Sequence, residues 1–196
     1  MRFFLIAGEP SGDALGAALM AGVKQLAPGV AFQGIGGPLM AVEGLESLFP
    51  MEELSVMGLL EILPKYTQLK RRIRETADAV IAAAPDALIT IDSPDFCLRV
   101  ARLVRAARPA QKTIHYVAPT VWAWRPGRAT RMAPLIDHVL ALFPFEPPYM
   151  ETAGMGCTFV GHPVVARPCA APAAVAAFRH THSIDPDQPL LLCLPG

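Results

Sequence analysis

The sequence predicts an α/β fold, a parallel sheet with helices on both faces. Three observations predict it. Short apolar, strand-like runs recur at βα spacing over the first 160 residues or so. Segments between them repeat their apolar residues at helical period, as Phe96, Val100, Leu103 and Val104 do. The chain also opens on a strand–loop–helix unit. Phe3 to Ala7 is apolar, Gly8-Glu9-Pro10-Ser11-Gly12-Asp13 is a tight polar loop, and Leu15, Leu19, Val23 and Leu26 resume at helical spacing.

Taken in order, the expected strands are Phe3–Ala7, Val30–Ile35, Ala87–Ile91, Thr113–Val117, Val139–Leu142 and Thr158–Val160. Met57–Ala84 is long enough for one or two helices. Alternation of this kind joins parallel strands through helical crossovers. From Val165 to Pro189 the composition shifts to Pro, His and Asp, which reads as a linker over 166–188 with a short helix at Ala173–Arg179. The first domain is therefore expected over 1–165. Leu190–Leu194 reads as a buried strand and Pro195-Gly196 as the loop after it, so 189–196 is expected to begin a second domain within a longer protein. No internal repeat is visible.

Composition narrows the function classes. Hydrophobic residues make up 53% of the 196, enough for a sizeable core, and the net charge is zero, which gives no bulk pull toward nucleic acid. Every apolar run is broken before the ~18 residues a membrane span needs. The short first run, followed by Glu9 and Asp13, does not read as a signal peptide. Cys97, Cys157, Cys169 and Cys193 are scattered, with no CxxC and no metal-ligand spacing. They read as reduced cytoplasmic thiols, and neither metal nor cofactor is expected.

Five motifs are candidates for chemistry, each with a plain structural alternative. The GEPSGD loop lies where parallel sheets collect ligands. It is either a substrate-contacting loop or a turn with a capped helix. It matches neither GxGxxG nor a P-loop. In Ile91-Asp92-Ser93-Pro94-Asp95-Phe96, a carboxylate at a strand end can accept a proton from a substrate hydroxyl. The alternative is that Ser93 or Asp95 caps the following helix. In His115–Arg128, Trp122 and Trp124 suit a sugar ring or a lipid headgroup boundary, and Arg125 and Arg128 suit phosphate. A packed aromatic corner with solvated arginines is the alternative. His115 alone fits a core histidine. Met51–Arg74 sets Val56, Met57, Leu59, Leu60, Ile62 and Leu63 ahead of Lys65, Lys70, Arg71, Arg72 and Arg74. That pattern fits an anionic membrane surface, or a core helix with a solvated face. Phe159-Val160-Gly161-His162-Pro163 ends a strand just before the linker, which puts it at a domain junction; a lone histidine there reads equally as a structural residue.

Together these segments resemble the lipid-A-disaccharide synthase family. The matching stretches are AGEPSGD at 7–13, GIGGPLM at 34–40, MEELSVMGLLEIL at 51–63, IDSPDF at 91–96, HYVAPTVWAWRPGR at 115–128, FPFE at 143–146 and FVGHP at 159–163. The resemblance implies a GT-B architecture of two Rossmann-like domains, with this chain as the N-terminal, acceptor-side part. It implies transfer of 2,3-diacylglucosamine from UDP-2,3-diacylglucosamine to 2,3-diacylglucosamine 1-phosphate. The product is a β-1,6-linked disaccharide 1-phosphate, formed with inversion. It implies Asp95 as catalytic base. Glu9, Ser11, Asp13, Asp92, His115, Trp122, Trp124, Arg125, Arg128 and His162 are implied as substrate-binding residues. Met57, Leu59, Leu60, Ile62, Leu63, Lys70 and Arg71 are implied as contacts to the inner face of the inner membrane. The alternatives are another GT-B enzyme, such as a cell-wall glycosyltransferase or a UDP-sugar 2-epimerase, and a non-catalytic nucleotide- or lipid-binding module.

Overall fold

A computed structural model describes residues 1–54 and 59–193, with the side chains of 59–65 outside the described set. Two compact units divide the chain, Met1–His162 and Pro163–Gly196. The boundary falls at His162–Pro163, slightly ahead of the expected one.

The first unit is a six-stranded parallel sheet in the order β2-β1-β3-β4-β5-β6. Its strands are β1 (Arg2–Ala7), β2 (Ala31–Ile35), β3 (Ala87–Ile91), β4 (Thr113–Tyr116), β5 (His138–Ala141) and β6 (Gly156–Phe159). In β3 every residue is buried, as are Phe4 to Ala7 of β1. Such unbroken apolar strands are what a sheet covered on both faces requires. The helices are α1 (Pro10–Leu26), α2 (Pro38–Val42), α3 (Leu59–Ala83), α4 (Pro94–Ala107), α5 (Gly127–Met132) and α6 (Pro147–Thr152). This is a Rossmann-like, doubly wound arrangement.

The direction of winding reverses between β1 and β3. From β1 the chain crosses to β2 on one side; from β3 it steps through β4, β5 and β6 on the other. Right-handed crossovers then put α1 on one face and α4 on the opposite face. Helix α1 lies close on β1 and β3 through Gly12 and Gly16. A Cβ on Gly16 would meet the Met40 sulfur at 2.5 Å. Helix α3 packs beside α4. At Gly34, φ is +143° and a Cβ would lie 1.8 Å from the Leu5 carbonyl oxygen, so only glycine fits this edge of β2.

In the second unit, α7 (Pro172–Thr181) replaces the shorter helix expected there. Arg179 Nη1 donates to the carbonyls of Asp185 and Gln188 at 2.6 and 2.9 Å, which folds the following turn onto the helix. The expected strand at Leu190–Leu194 is corrected. Leu190–Cys193 form no strand, and Leu194 lies outside the described residues. Apolar composition favours a strand, but a strand exists only with a neighbour to complete its ladder.

Candidate functional site

A reversal point of this kind opens a crevice beyond the carboxyl ends of the two diverging strands. Here those strands are β1 and β3, paired directly with Ala7 opposite Ile91. Two loops therefore start side by side, Gly8-Glu9 and Asp92-Ser93. They approach so closely that a Cβ on Gly8 would sit 2.7 Å from Ser93 Oγ and 3.5 Å from the Leu54 Cβ. Gly8 is therefore fixed by packing against the IDSPDF loop, a constraint that the GEPSGD motif alone does not reveal.

The β3–α4 loop is wound tightly. Asp92 and Ser93 both take left-handed backbone angles, φ +50° and +41°. The Asp92 N–H donates to the Tyr116 carbonyl at 3.0 Å, extending the β3–β4 ladder by one step. Pro94 then opens α4, where a missing N–H costs nothing. Ser93 makes no side-chain cap, so the capping alternative does not hold for it. Asp95 stands in the first turn of α4 with its side chain exposed, and among the described residues none hydrogen-bonds its carboxylate. Asp92 is half-buried beside it. Glu9 is half-buried at the N-terminus of α1, and Ser11 is exposed one residue into that helix.

The neighbouring rim loop follows β4. Val117 has φ +84° and Arg125 φ +51°. Together with Asp92 and Ser93, these make four of the six left-handed non-glycine residues among the described ones, all on two adjacent loops. Each costs about 1–3 kcal/mol, and such strain collects where function fixes the backbone. Ala118 and Val121 anchor the loop in the core while Trp122, Trp124 and Arg125 face water. The Arg125 guanidinium lies 4.2 Å over the Trp124 ring. Arg128 is half-buried at the start of α5.

Two expected substrate contacts are corrected. Asp13 is 2% exposed. Its Oδ1 accepts the N–H groups of Gly37 and Met40, and its Oδ2 that of Leu39, all at 2.9 Å. It ties α1 to the start of α2 and has no face toward the crevice. A Cβ on Gly37 would sit 2.6 Å from Asp13 Oδ2, so this tie also requires glycine there. His115 is 1% exposed, inside β4, with Nδ1 2.7 Å from the Thr90 hydroxyl. Burial, and then the nearby Arg128 charge, push its pKa down to about 4, so it is a neutral core histidine at neutral pH. Cys97, behind the loop, is fully buried. Burial and then the Asp92 charge push its thiol far up, leaving it a packing residue.

The remaining candidates lie farther off. His162 follows β6, three strands from β3, roughly 14 Å along the rim at ordinary strand spacing. Met57 lies outside the described residues, as do the side chains of Leu59, Leu60, Ile62 and Leu63. Lys70 is exposed with its ammonium 4.6 Å from the Tyr66 ring centre, and Arg71 is exposed beside it. Arg72 is not a free cation. It grips Glu53 through Nε and Nη2 at 2.8 and 2.6 Å and Glu75 through Nη1 at 2.8 Å. Hydrogen bonds from Arg72 and then Gln68 hold the Glu53 carboxyl low. This clamp secures the turn that carries Leu54 to Gly8.

The family model described as lipid-A-disaccharide synthetase matches residues 3–196. The chain belongs to the lipid-A-disaccharide synthetase family. A lipid-A-disaccharide synthase of Ruegeria pomeroyi is 66% identical over 196 residues, covering all of this chain and 48% of the relative. One of Rhodospirillum centenum is 55% identical over 197 residues, again covering all of this chain and 49% of the relative. The synthetase-family chain thus spans about half the length of the curated relatives it matches. Among solved structures, the UDP-GlcNAc 2-epimerase of Neisseria meningitidis aligns with a TM-score of 0.58 at 10% identity, over 84% of this chain and 47% of that one. At that identity the likeness shows the fold alone.

Proposed function

We propose that this chain is the acceptor-side half of an inverting glycosyltransferase. It would transfer 2,3-diacylglucosamine from its UDP derivative to 2,3-diacylglucosamine 1-phosphate. The observation that carries the reading is the placement of Asp95: an accessible carboxylate with no protein partner among the described residues, at the reversal point of the sheet, beside the Glu9 loop. In a single in-line displacement, the acceptor 6-hydroxyl oxygen attacks the donor anomeric carbon. The bond to UDP breaks, the anomeric configuration inverts, and Asp95 takes the hydroxyl proton. Asp92 supports the loop, while Glu9 and Ser11 line the same crevice. Arg125 and Arg128, one loop away, are the cations placed to meet the acceptor phosphate.

The test uses this chain in a protein of the relatives' full length. Asp95→Asn keeps the size of the side chain and removes the base. Transfer is expected to fall by about 100-fold or more. Retention within a few-fold of the wild-type rate would rule Asp95 out as the base.

Membrane apposition belongs to the same reading. Among the described residues no helix is long and apolar enough to cross a membrane. Lys70, Arg71 and Arg74 form an exposed basic row on α3, suited to a surface contact with anionic lipid at the inner face of the inner membrane.

A further inference from the structure

Four large aromatic rings stand exposed on neighbouring rim loops. Trp122 and Trp124 follow β4 and are 46% and 55% exposed; Phe143 and Phe145 follow β5 and are 46% and 47% exposed. Three of them form one surface. Trp122 meets Phe145 edge-to-face at 5.3 Å, and Phe143 stacks on Phe145 at 5.6 Å with the rings 9° from parallel.

The surface is built, not frayed. Glu146 is 2% exposed, and its Oε2 accepts the Phe143 N–H at 2.9 Å, which closes the FPFE turn that carries both phenyl rings. The Glu146 carbonyl in turn accepts the Tyr149 N–H at 3.1 Å, joining the turn to α6. On the other loop, Ala118 and Val121 are buried and hold Trp122 outward. A fold that buries alanine and valine while exposing tryptophan and two phenylalanines in mutual contact is presenting an apolar surface to a partner.

Two features identify that partner. Arg125, seated on Trp124, places a guanidinium in the same loop as Trp122, and Arg128 follows it. Two cations therefore share the loop that carries Trp122. The surface also continues the candidate site, because β4 is the neighbour of β3 and shares its ladder up to Asp92. An aromatic surface with two arginines in one of its loops, one strand from an accessible carboxylate, matches an acylated sugar phosphate. The chain goes to the rings, the phosphate to the arginines and the hydroxyl to the carboxylate. We infer that Trp122, Phe143 and Phe145 receive an acyl chain of the acceptor and so help set acyl specificity. This rests on the glycosyltransferase reading and adds the part of the substrate that the aromatic surface holds.

Trp122 and Trp124 are the two tryptophans of the chain, so its tryptophan fluorescence reports on this surface. The 196-residue chain is titrated with 2,3-dihexanoylglucosamine 1-phosphate below its micelle concentration, and with glucosamine 1-phosphate. The expected result is a saturable blue shift with the acylated compound, at least about tenfold weaker with the deacylated one. A Phe143→Ser, Phe145→Ser variant should lose that preference. A probe brominated on its acyl chain should quench the wild-type emission, which tests the contact even where the double variant folds poorly. The inference is overturned by equal affinity for the two compounds, by no saturable response, by no quenching, or by a response to phosphatidylglycerol vesicles alone. Any of those results together with a large loss of transfer in Asp95→Asn leaves the glycosyltransferase reading standing. Acyl-dependent binding by this chain with no transfer by the wild-type protein of full length does the reverse.

Discussion

Replacing Asp13 with alanine should cost this domain a large share of its stability. Three backbone N–H groups converge on the Asp13 carboxylate at 2.9 Å, from Gly37, Leu39 and Met40. Asp13 is 2% exposed, so these bonds are made away from bulk water. The bonds to Gly37 and Met40 are buried, and that to Leu39 is partly so. A buried donor left without an acceptor costs about 1–3 kcal/mol, so three of them, the last discounted, come to about 3–5 kcal/mol. A domain's whole stability is about 5–15 kcal/mol. In urea unfolding followed by circular dichroism, with a slope of about 2 kcal/mol per molar, the midpoint should fall by about 1.5–2.5 M. Asp13→Asn should cost less. Its remaining oxygen can still serve Gly37 and Met40, and its NH2 group opposes only the Leu39 N–H. A loss below about 1 kcal/mol for Asp13→Ala, or equal losses for Asn and Ala, would refute the role assigned to this carboxylate.

Acid should weaken the fold through His115. Its folded pKa of about 4 lies below the unfolded value near 6.5, so the unfolded state binds the proton first. The stability it contributes is complete above about pH 6.5 and falls by about 1.4 kcal/mol per pH unit toward pH 4. His115→Asn, less stable at pH 7, should lose that part of the acid slope; identical slopes in the two proteins would remove His115 from the account. Changing Lys70 and Arg71 to Gln should weaken sedimentation with anionic vesicles at low salt by roughly tenfold to thirtyfold, at about 1 kcal/mol per cation. Unchanged sedimentation, or none by the wild type, would exclude the basic row of α3 as a membrane contact.

The sheet was largely legible in the sequence because its central strands carry a strong signal. Phe3–Ala7 and Ala87–Ile91 are short apolar runs closed by Gly8 and Asp92, and both are strands at close to those bounds. The reversal point follows from strand order, which residue pattern does not encode. So the meeting of Gly8 with Ser93 emerges only in three dimensions. Asp13 misled for a definite reason. An acid in a polar loop looks the same whether it faces a ligand or another loop, and its partners are backbone N–H groups 24 to 27 residues away, which leave no side-chain signature. His115 lies beside tryptophans and arginines in sequence, but strand geometry turns it to the core. FPFE stands in the sequence only as one of the family-like stretches, and nothing there marks Phe143 and Phe145 as exposed; their exposure follows from the turn that Glu146 closes.

The acids of this rim divide by what surrounds them. Asp13 and Glu146 are nearly as buried as the strands; Asp13 accepts backbone N–H groups from Gly37 and the first turn of α2, and Glu146 one from the turn before α6, all beyond the sheet's own ladder. Those segments cannot borrow order from the sheet, since the strands end before them. A buried carboxylate is costly unless fully hydrogen-bonded, so it holds one loop geometry and penalises others. The turn before Asp95 is held by Pro94, by the Asp92 N–H bond to Tyr116 and by Gly8 against Ser93, none of which uses the Asp95 carboxylate. An exposed carboxylate held in place by its neighbours, with no hydrogen-bond partner among the described residues, is what the proposed role as base needs: it can take a substrate hydroxyl without first breaking a bond of its own.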